Sequence, residues 1–277
     1  MITLNINNLS ISNTLPFVLI AGPCVLESEK KTLEIAEHIN KVCKDLDINY
    51  IFKSSFDKAN RSSINSNRGT TPRKGLKIFK KIKNEFKCPI LTDVHTEEHC
   101  NFLADDNIID ILQIPAFLCR QTDLLISAGK TKKIINVKKG QFLAPADVKN
   151  IFEKIKSVNN NIMITERGTS FGYNNLVNDF RALDIMKEYK YPVIFDGTHS
   201  VQQPGGLGDK SGGKREFIPS LCKAAISIGV AGVFLETHDD PDNAPSDGPN
   251  MIYLKDLKNL LMQLKEFDLI AKKNANN

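Results

Sequence analysis

A chain of 277 residues is long enough for one large core or two modest domains, and 41% hydrophobic with 25% charged residues excludes the disordered and fibrous classes in favour of a globular protein. The formal net charge of +5 gives little support to nucleic-acid binding and equally suits small anionic substrates. No apolar run approaches the length that crosses a membrane, and Met1-Ile2-Thr3-Leu4-Asn5-Ile6 lacks the basic-then-apolar layout of a signal peptide, so a cytoplasmic protein without membrane contact is expected.

The opening "MITLNINNLSISN" alternates apolar and polar residues about a turn-like Asn7-Asn8, which predicts a short hairpin over residues 1–14 that plugs the bottom of the fold. "PFVLIAG" follows, continuously apolar as a strand covered on both faces should be. Gly22-Pro23 stops it and leaves Cys24 at the turn, before the acidic, helix-opening Leu26-Glu27-Ser28-Glu29. Seven more runs of this kind come in series: "NYIFKSS", "CPILTD", "DILQIP", "KIINVK", "NIMITERG", "YPVIFDG" and "VAGVFLET". Amphipathic stretches of helical length lie between them, among them Glu27 to Leu46, Pro72 to Phe86, Ala146 to Val158, Leu176 to Tyr189 and Glu216 to Ile228, with Tyr253 to Ala271 closing the chain. Regular alternation of strand and helix means a parallel sheet. Eight units at this length predict an α/β fold of the closed (β/α)8 type, one domain over residues 1–277, rather than an open doubly wound sheet. No G-x-G-x-x-G follows the first strand, which argues against a dinucleotide site.

Two other features have bland explanations. "KIFKKIKNEFK", Lys77 to Lys87, spaces its apolar residues as a helix does and reads as a solvated lysine face. The six cysteines include no C-x-x-C pair, so reduced thiols are expected, with Cys43, Cys88, Cys100, Cys119 and Cys222 as packing residues.

In a barrel the loops after the strands build the active site. Polar residues collect there: Gly22-Pro23-Cys24 after strand one, Lys53 and "DKANRSS" after two, Asp93 and His95 after three, and Gln113 after four. Lys138 follows five, Glu166-Arg167-Gly168 six, "DGTHSVQQPGG" seven and "ETHDDPDNAPSDG" eight. Lys53, Lys58, Arg61, Lys138 and Arg167 converging on one mouth are what binding phosphates or carboxylates requires. Strands one, seven and eight are neighbours on closure, and they bring Cys24, His199 and Glu236 together with Asp247 on the loop beyond. This is a candidate set for a divalent metal, and zinc, ferrous iron, manganese and cobalt all stay open. "HTEEHC" is a competing arrangement, but its acidic residues are not placed as in H-E-x-x-H and His99 falls inside the next helix, which leaves His95 alone near the site. The glycine-rich stretch Gln202 to Gly213 predicts a mobile lid.

The motifs "AGPCVLES", "FKSSFDKANRSS", "LTDVHT", "QIPAFLCRQTDLL", "NVKKGQF", "ERGTSFGYNNLV", "FDGTHSVQQPGG" and "ETHDDPDNAPSDGP", in this order over nearly the whole chain, resemble those of the 3-deoxy-D-manno-octulosonate 8-phosphate synthase family. The resemblance implies a homotetrameric barrel that condenses phosphoenolpyruvate with arabinose 5-phosphate and water for lipopolysaccharide synthesis. It assigns Lys58, Gln113, Lys138 and Arg167 to phosphoenolpyruvate and Asn60, Arg61 and Ser62 to arabinose 5-phosphate, with Arg61 on its phosphate; Lys53 joins the substrate-binding candidates. Lys58, Asp93, His95, Lys138 and His199 form the candidate catalytic set, with His95 or Asp93 giving acid–base assistance. The family has a metal-independent form with asparagine at the position of Cys24 and a metal-dependent form with cysteine, and the chain resembles the latter. Lys214 and Asn178 depart from the family pattern, but neither is an assigned ligand. Two alternatives stand beside this reading. The related synthase that uses erythrose 4-phosphate carries a Lys-Pro-Arg-Thr segment where this chain has "KANRSS", and a non-catalytic anion-binding barrel would lack some of these groups.

Overall fold

The computed structural model describes residues 1–60, 64, 68–205 and 212–275. Eight parallel strands form the barrel: β1 (Val18–Gly22), β2 (Tyr50–Lys53), β3 (Ile90–Asp93), β4 (Ile111–Ile114), β5 (Ile134–Lys138), β6 (Ile162–Glu166), β7 (Val193–Asp196) and β8 (Gly232–His238). Each pairs with the next, and Gly232 opposite Val18 closes the ring between β8 and β1. The (β/α)8 expectation holds.

The two-residue period of a strand explains how the interior is layered. Val18, Ile20, Ile51, Leu91, Ile111, Ile134, Met163, Ile194 and Phe234 point inward and form one apolar cluster. Two residues further along the strands lie Lys53, Asp93, Gln113, Asn136, Thr165, Asp196 and Glu236, all buried and all polar. The apolar layer therefore sits below the polar one, and the polar layer floors the mouth. The alternate, outward-facing residues, such as Leu19, Phe52, Leu112, Ile135, Ile164 and Phe195, pack in a second, larger cluster beneath the helices.

The helical ring consists of α1 (Glu29–Leu46), α2 (Pro72–Phe86), α3 (Glu97–Ala104), α4 (Thr122–Lys130), α5 (Val148–Lys156), α6 (Arg181–Lys187), α7 (Ile218–Ser227) and α8 (Leu254–Ala275). Ser28, Thr71 and Thr96 accept backbone N–H bonds as side-chain caps of α1, α2 and α3. In α2, Ile78, Phe79, Ile82 and Phe86 are buried while Lys80 and Lys81 are exposed, the solvated lysine face read from the sequence. The expected helix from Leu176 to Tyr189 is shorter. Leu176–Val177 pairs with Thr169–Ser170 as a small antiparallel ladder, and the helix begins only at Arg181. Asn174, at φ 53°, makes the turn between those strands, so local turn geometry overrides the apolar spacing.

The N-terminal hairpin pairs Leu4–Ile6 with Leu9–Ile11 around Asn7, and Leu4, Ile6, Leu9 and Ile11 join the interior apolar cluster. The barrel bottom is thereby sealed. On α8, Lys272 Nζ donates to the carbonyls of Asn13 (2.8 Å) and Val230 (2.7 Å), and Asp268 accepts the N–H of Phe17 at 3.0 Å. All six cysteines are free and buried.

Candidate active site

Gly22 ends β1 where a Cβ would stand 2.0 Å from the carbonyl oxygen of Lys53, so only glycine admits this approach of β1 to β2. Pro23 then turns the chain and sets Cys24 over the mouth, where its Sγ donates to Asp247 Oδ2 at 3.0 Å. Asp247 adopts φ 53° and holds its carboxylate in place through Ser246 Oγ (2.9 Å) and Gln202 Nε2 (2.9 Å). Glu236 projects from β8, accepts from Lys53 Nζ at 2.5 Å and lies 3.7 Å from Lys58 Nζ. Its second oxygen, Oε2, is buried without a hydrogen-bond partner.

One ligand atom from each of Cys24, Glu236 and Asp247 lies within 4.8 Å of the others. His199, the fourth expected ligand, sits beside this group, with Nε2 3.8 Å from Glu236 Oε1, while Nδ1 is bonded to Asp196 Oδ2 at 2.7 Å. Asp196 also accepts the backbone N–H of His199 at 2.9 Å, which orients the ring. Burial, then Asp247 and Glu236, push the Cys24 thiol well above its ordinary value. A divalent cation would reverse that preference by taking the thiolate, and the orphaned Glu236 oxygen would offer it a ready donor, so the donor set fits such an ion.

The anion site lies alongside. Lys138 from β5 pairs with Asp196, stands 3.2 Å from the centroid of the Phe234 ring, and is drawn down to about 8 chiefly by burial. Arg167, at the end of β6, donates from Nη2 to Gln202 Oε1 at 2.8 Å, while its Nη1 is buried and unpartnered. Among the described residues, the ion pair of Lys58 is the long one to Glu236, at 3.7 Å. Among the described residues, Arg167 thus keeps a buried donor to spare and Lys58 makes only a long ion pair, whereas Lys53 and Lys138 are closely paired with carboxylates. Asp93 accepts from Gln113 Nε2 (2.7 Å) and from Ser55 Oγ; burial pushes its pKa up, but Lys53 and Lys58 outweigh this and hold it at about 2. His95 lies at the rim, its Nδ1 without a partner and its pKa lowered by burial.

Cys24, Lys53, Lys58, Asp93, His95, Gln113, Lys138, Arg167, Glu236 and Asp247 are thus gathered at one end, with His199 at their edge. Asn60 is exposed where the description of its loop breaks off. Arg61 and Ser62 lie outside the described residues, as do residues 206–211 of the expected lid; Gln202–Gln203 and Gly212–Gly213 pair as a short antiparallel ladder at its base. His99 is on α3, with its Nδ1 accepting from the His95 backbone at 3.3 Å and its ring edge-on to Phe56, so "HTEEHC" gathers no ligand set among the described residues. Sequence reading passed over Asp196 and Gln202. The strand period, stepping from Ile194 to the next inward position, pointed to the first. Sequence reading placed Gln202 in a mouth loop but gave it no role, and its bridge between Arg167 and Asp247 runs through space.

Fold and mouth together define a (β/α)8-barrel enzyme with a candidate anion site beside a candidate metal site. A family model described as the DAHP synthetase I family matches residues 1–273, and the chain belongs to that family. Among its relatives, a protein of Rickettsia canadensis is 58% identical over 268 residues, 96% of this chain and 97% of its own. One of Bartonella henselae is 56% identical over 269 residues, 97% and 96% of the two chains, and one of Rickettsia typhi 57% over 268 residues, 96% and 97%. All three are named 2-dehydro-3-deoxyphosphooctonate aldolase.

Proposed function

We propose that this chain is a transferase that condenses phosphoenolpyruvate with D-arabinose 5-phosphate and water, giving 3-deoxy-D-manno-octulosonate 8-phosphate and inorganic phosphate for lipopolysaccharide synthesis. Near-full-length identity of 55–58% to relatives carrying the aldolase name supports the reading. The observation that carries it in the structure is the unpartnered Arg167 Nη1, with Lys58 3.7 Å from Glu236, at the same mouth as the Cys24–Glu236–Asp247 cluster.

The methylene carbon of phosphoenolpyruvate bonds to the aldehyde carbon of the sugar, water adds at C2, and the phosphate leaves from the same carbon. Both substrates are anions and repel one another, so the first task of the site is to hold them against that repulsion. Lys58, Lys138, Arg167 and Gln113 grip the phosphate and carboxylate of phosphoenolpyruvate. Asn60, Arg61 and Ser62 take the sugar phosphate, and Lys53 is a further substrate-binding candidate. Asp196 steadies Lys138 and the His199 ring, and Asp93 in the polar layer and His95 at the rim are the candidates for proton transfer. Cys24, His199, Glu236 and Asp247 would hold a divalent ion, which would supply positive charge to polarise the aldehyde or to orient and activate the water.

Exposed aromatics at Phe117, Phe142, Phe171 and Tyr173, on loops after β4, β5 and β6, support a homotetramer in which this rim is covered. No helix among the described residues is long and apolar enough to cross a membrane. The reading places the chain in the cytoplasm, since neither phosphorylated substrate crosses a bilayer unaided.

Phosphate release measured with phosphoenolpyruvate and either arabinose 5-phosphate or erythrose 4-phosphate tests the proposal. Turnover is expected with the five-carbon sugar. Preference for erythrose 4-phosphate would assign the chain to the other branch of its family, and release with neither would leave a non-catalytic barrel.

A further inference from the structure

Behind Gln113 the polar layer continues as an unbroken hydrogen-bonded chain across four adjacent strands. Thr165 Oγ1 on β6 donates to Asn136 Oδ1 on β5 at 2.7 Å; Asn136 Nδ2 donates to Gln113 Oε1 on β4 at 2.8 Å; Gln113 Nε2 donates to Asp93 Oδ1 on β3 at 2.7 Å. Asn136 and Thr165 are completely buried and touch no solvent through which they could bind a substrate themselves.

The polarity of this chain has a single solution. Asp93 as a carboxylate only accepts, so Gln113 must turn its NH2 toward it and its oxygen toward Asn136. Asn136 must then present NH2 to Gln113 and oxygen to Thr165, whose hydroxyl has to be the donor. If the Thr165 proton is removed, the Asn136 oxygen loses its partner. The Asn136 oxygen is then buried without a donor, and the amide is held from one side only, by its own N–H bond to Gln113 Oε1. Gln113 Nε2 carries two N–H groups, one of which goes to Asp93, leaving the other for an anion in the mouth.

We infer that Asn136 and Thr165 are positioning residues, which lock the Gln113 amide with its N–H side toward the anion site and so set the affinity for the carboxylate or phosphate of phosphoenolpyruvate. The inference rests on the reading that Gln113 grips that substrate. It adds a requirement the reading does not contain, a hydroxyl donor two strands away from the contact.

The test compares Thr165→Val, which keeps the shape and removes the donor, with Thr165→Ser, which keeps the donor, using Gln113→Ala as the benchmark. Dissociation constants and KM for phosphoenolpyruvate, kcat, and thermal midpoints are measured for each. Thr165→Val should raise KM and Kd for phosphoenolpyruvate about fivefold, as loss of one buried hydrogen bond implies, with kcat and the KM for the sugar little changed. Thr165→Ser should restore both constants. Asn136→Ser, too short to reach Gln113, should show the same split and replaces Thr165→Val if that variant does not fold. A purely structural chain would lower the thermal midpoint and leave KM alone, which overturns the inference, as does a Thr165→Ser variant as impaired as Thr165→Val. If Gln113→Ala itself binds phosphoenolpyruvate like the wild type, the grip assigned to Gln113 fails and the positioning role is overturned with it. A rise in Gln113→Ala with none in Thr165→Val leaves the grip standing and removes only the positioning role.

Discussion

At the scale of single residues, the position of Cys24 is decided by its company. A thiol beside Asp247 and Glu236 stays protonated because burial and both carboxylates oppose the thiolate, an expensive arrangement for a packing residue and an apt one for a cation. Chelation of the purified protein should abolish phosphate release and a divalent transition ion should restore it. Cys24→Ala should bind that ion at least about tenfold more weakly, read by elemental analysis after equilibrium dialysis. Full activity in protein shown to be metal-free would return Cys24 to packing. Cys24→Asn is the sharper variant, since the family resemblance implies asparagine at this position in a metal-independent form; chelator-resistant activity there would tie the cysteine to the metal requirement.

At the scale of elements, α8 holds the barrel bottom by a buried ion pair rather than by apolar contact alone. Lys272 Nζ lies 3.6 Å from Asp268 Oδ1 and caps two backbone carbonyls, one beyond the hairpin and one before β8. Lys272→Met should cost about 3 kcal/mol in urea unfolding, because it strands the Asp268 charge and both carbonyls together. The pair also gives a pH dependence of known sign. Burial draws the folded-state pKa of Lys272 down to about 8 from 10.5, so across that window the unfolded chain keeps a proton that the folded chain has released. Stability contributed by this group therefore rises between those two values. The urea midpoint of the wild type should climb over that range by an amount absent from Lys272→Met; parallel profiles would show that the ammonium titrates normally.

At the scale of the whole molecule, the proposed tetramer would cover exposed aromatic side chains on the loops of the mouth, Phe171 at 70% and Tyr173 at 98% exposure. Sedimentation equilibrium should give the mass of four chains, and Phe171→Glu should shift the distribution toward smaller species; a wild-type monomer at micromolar concentration would refute the assembly. The barrel itself was legible in the sequence because each strand, covered on both faces, is an apolar run ended by turn residues. The inward polar layer was partly legible, since Lys53, Asp93, Gln113 and Glu236 each fall two residues beyond an interior hydrophobe. Ends of elements were less so: the predicted helix at Leu176 yields to a hairpin because a turn at Asn174 is a local choice that apolar spacing does not record. By itself the sequence determined the order of strands and helices, the end of the barrel that carries the chemistry, and the residue types present there, since these follow from periodicity and turn composition along the chain. Only the tertiary structure decided which of those groups are already neutralised by a partner and which retain free donors. It alone placed His199 at the edge of the Cys24–Glu236–Asp247 cluster and linked Thr165 to Asp93 through two amides. Those relations run between residues tens to hundreds of positions apart, and a hydrogen bond across the barrel leaves no periodic trace in the chain that makes it.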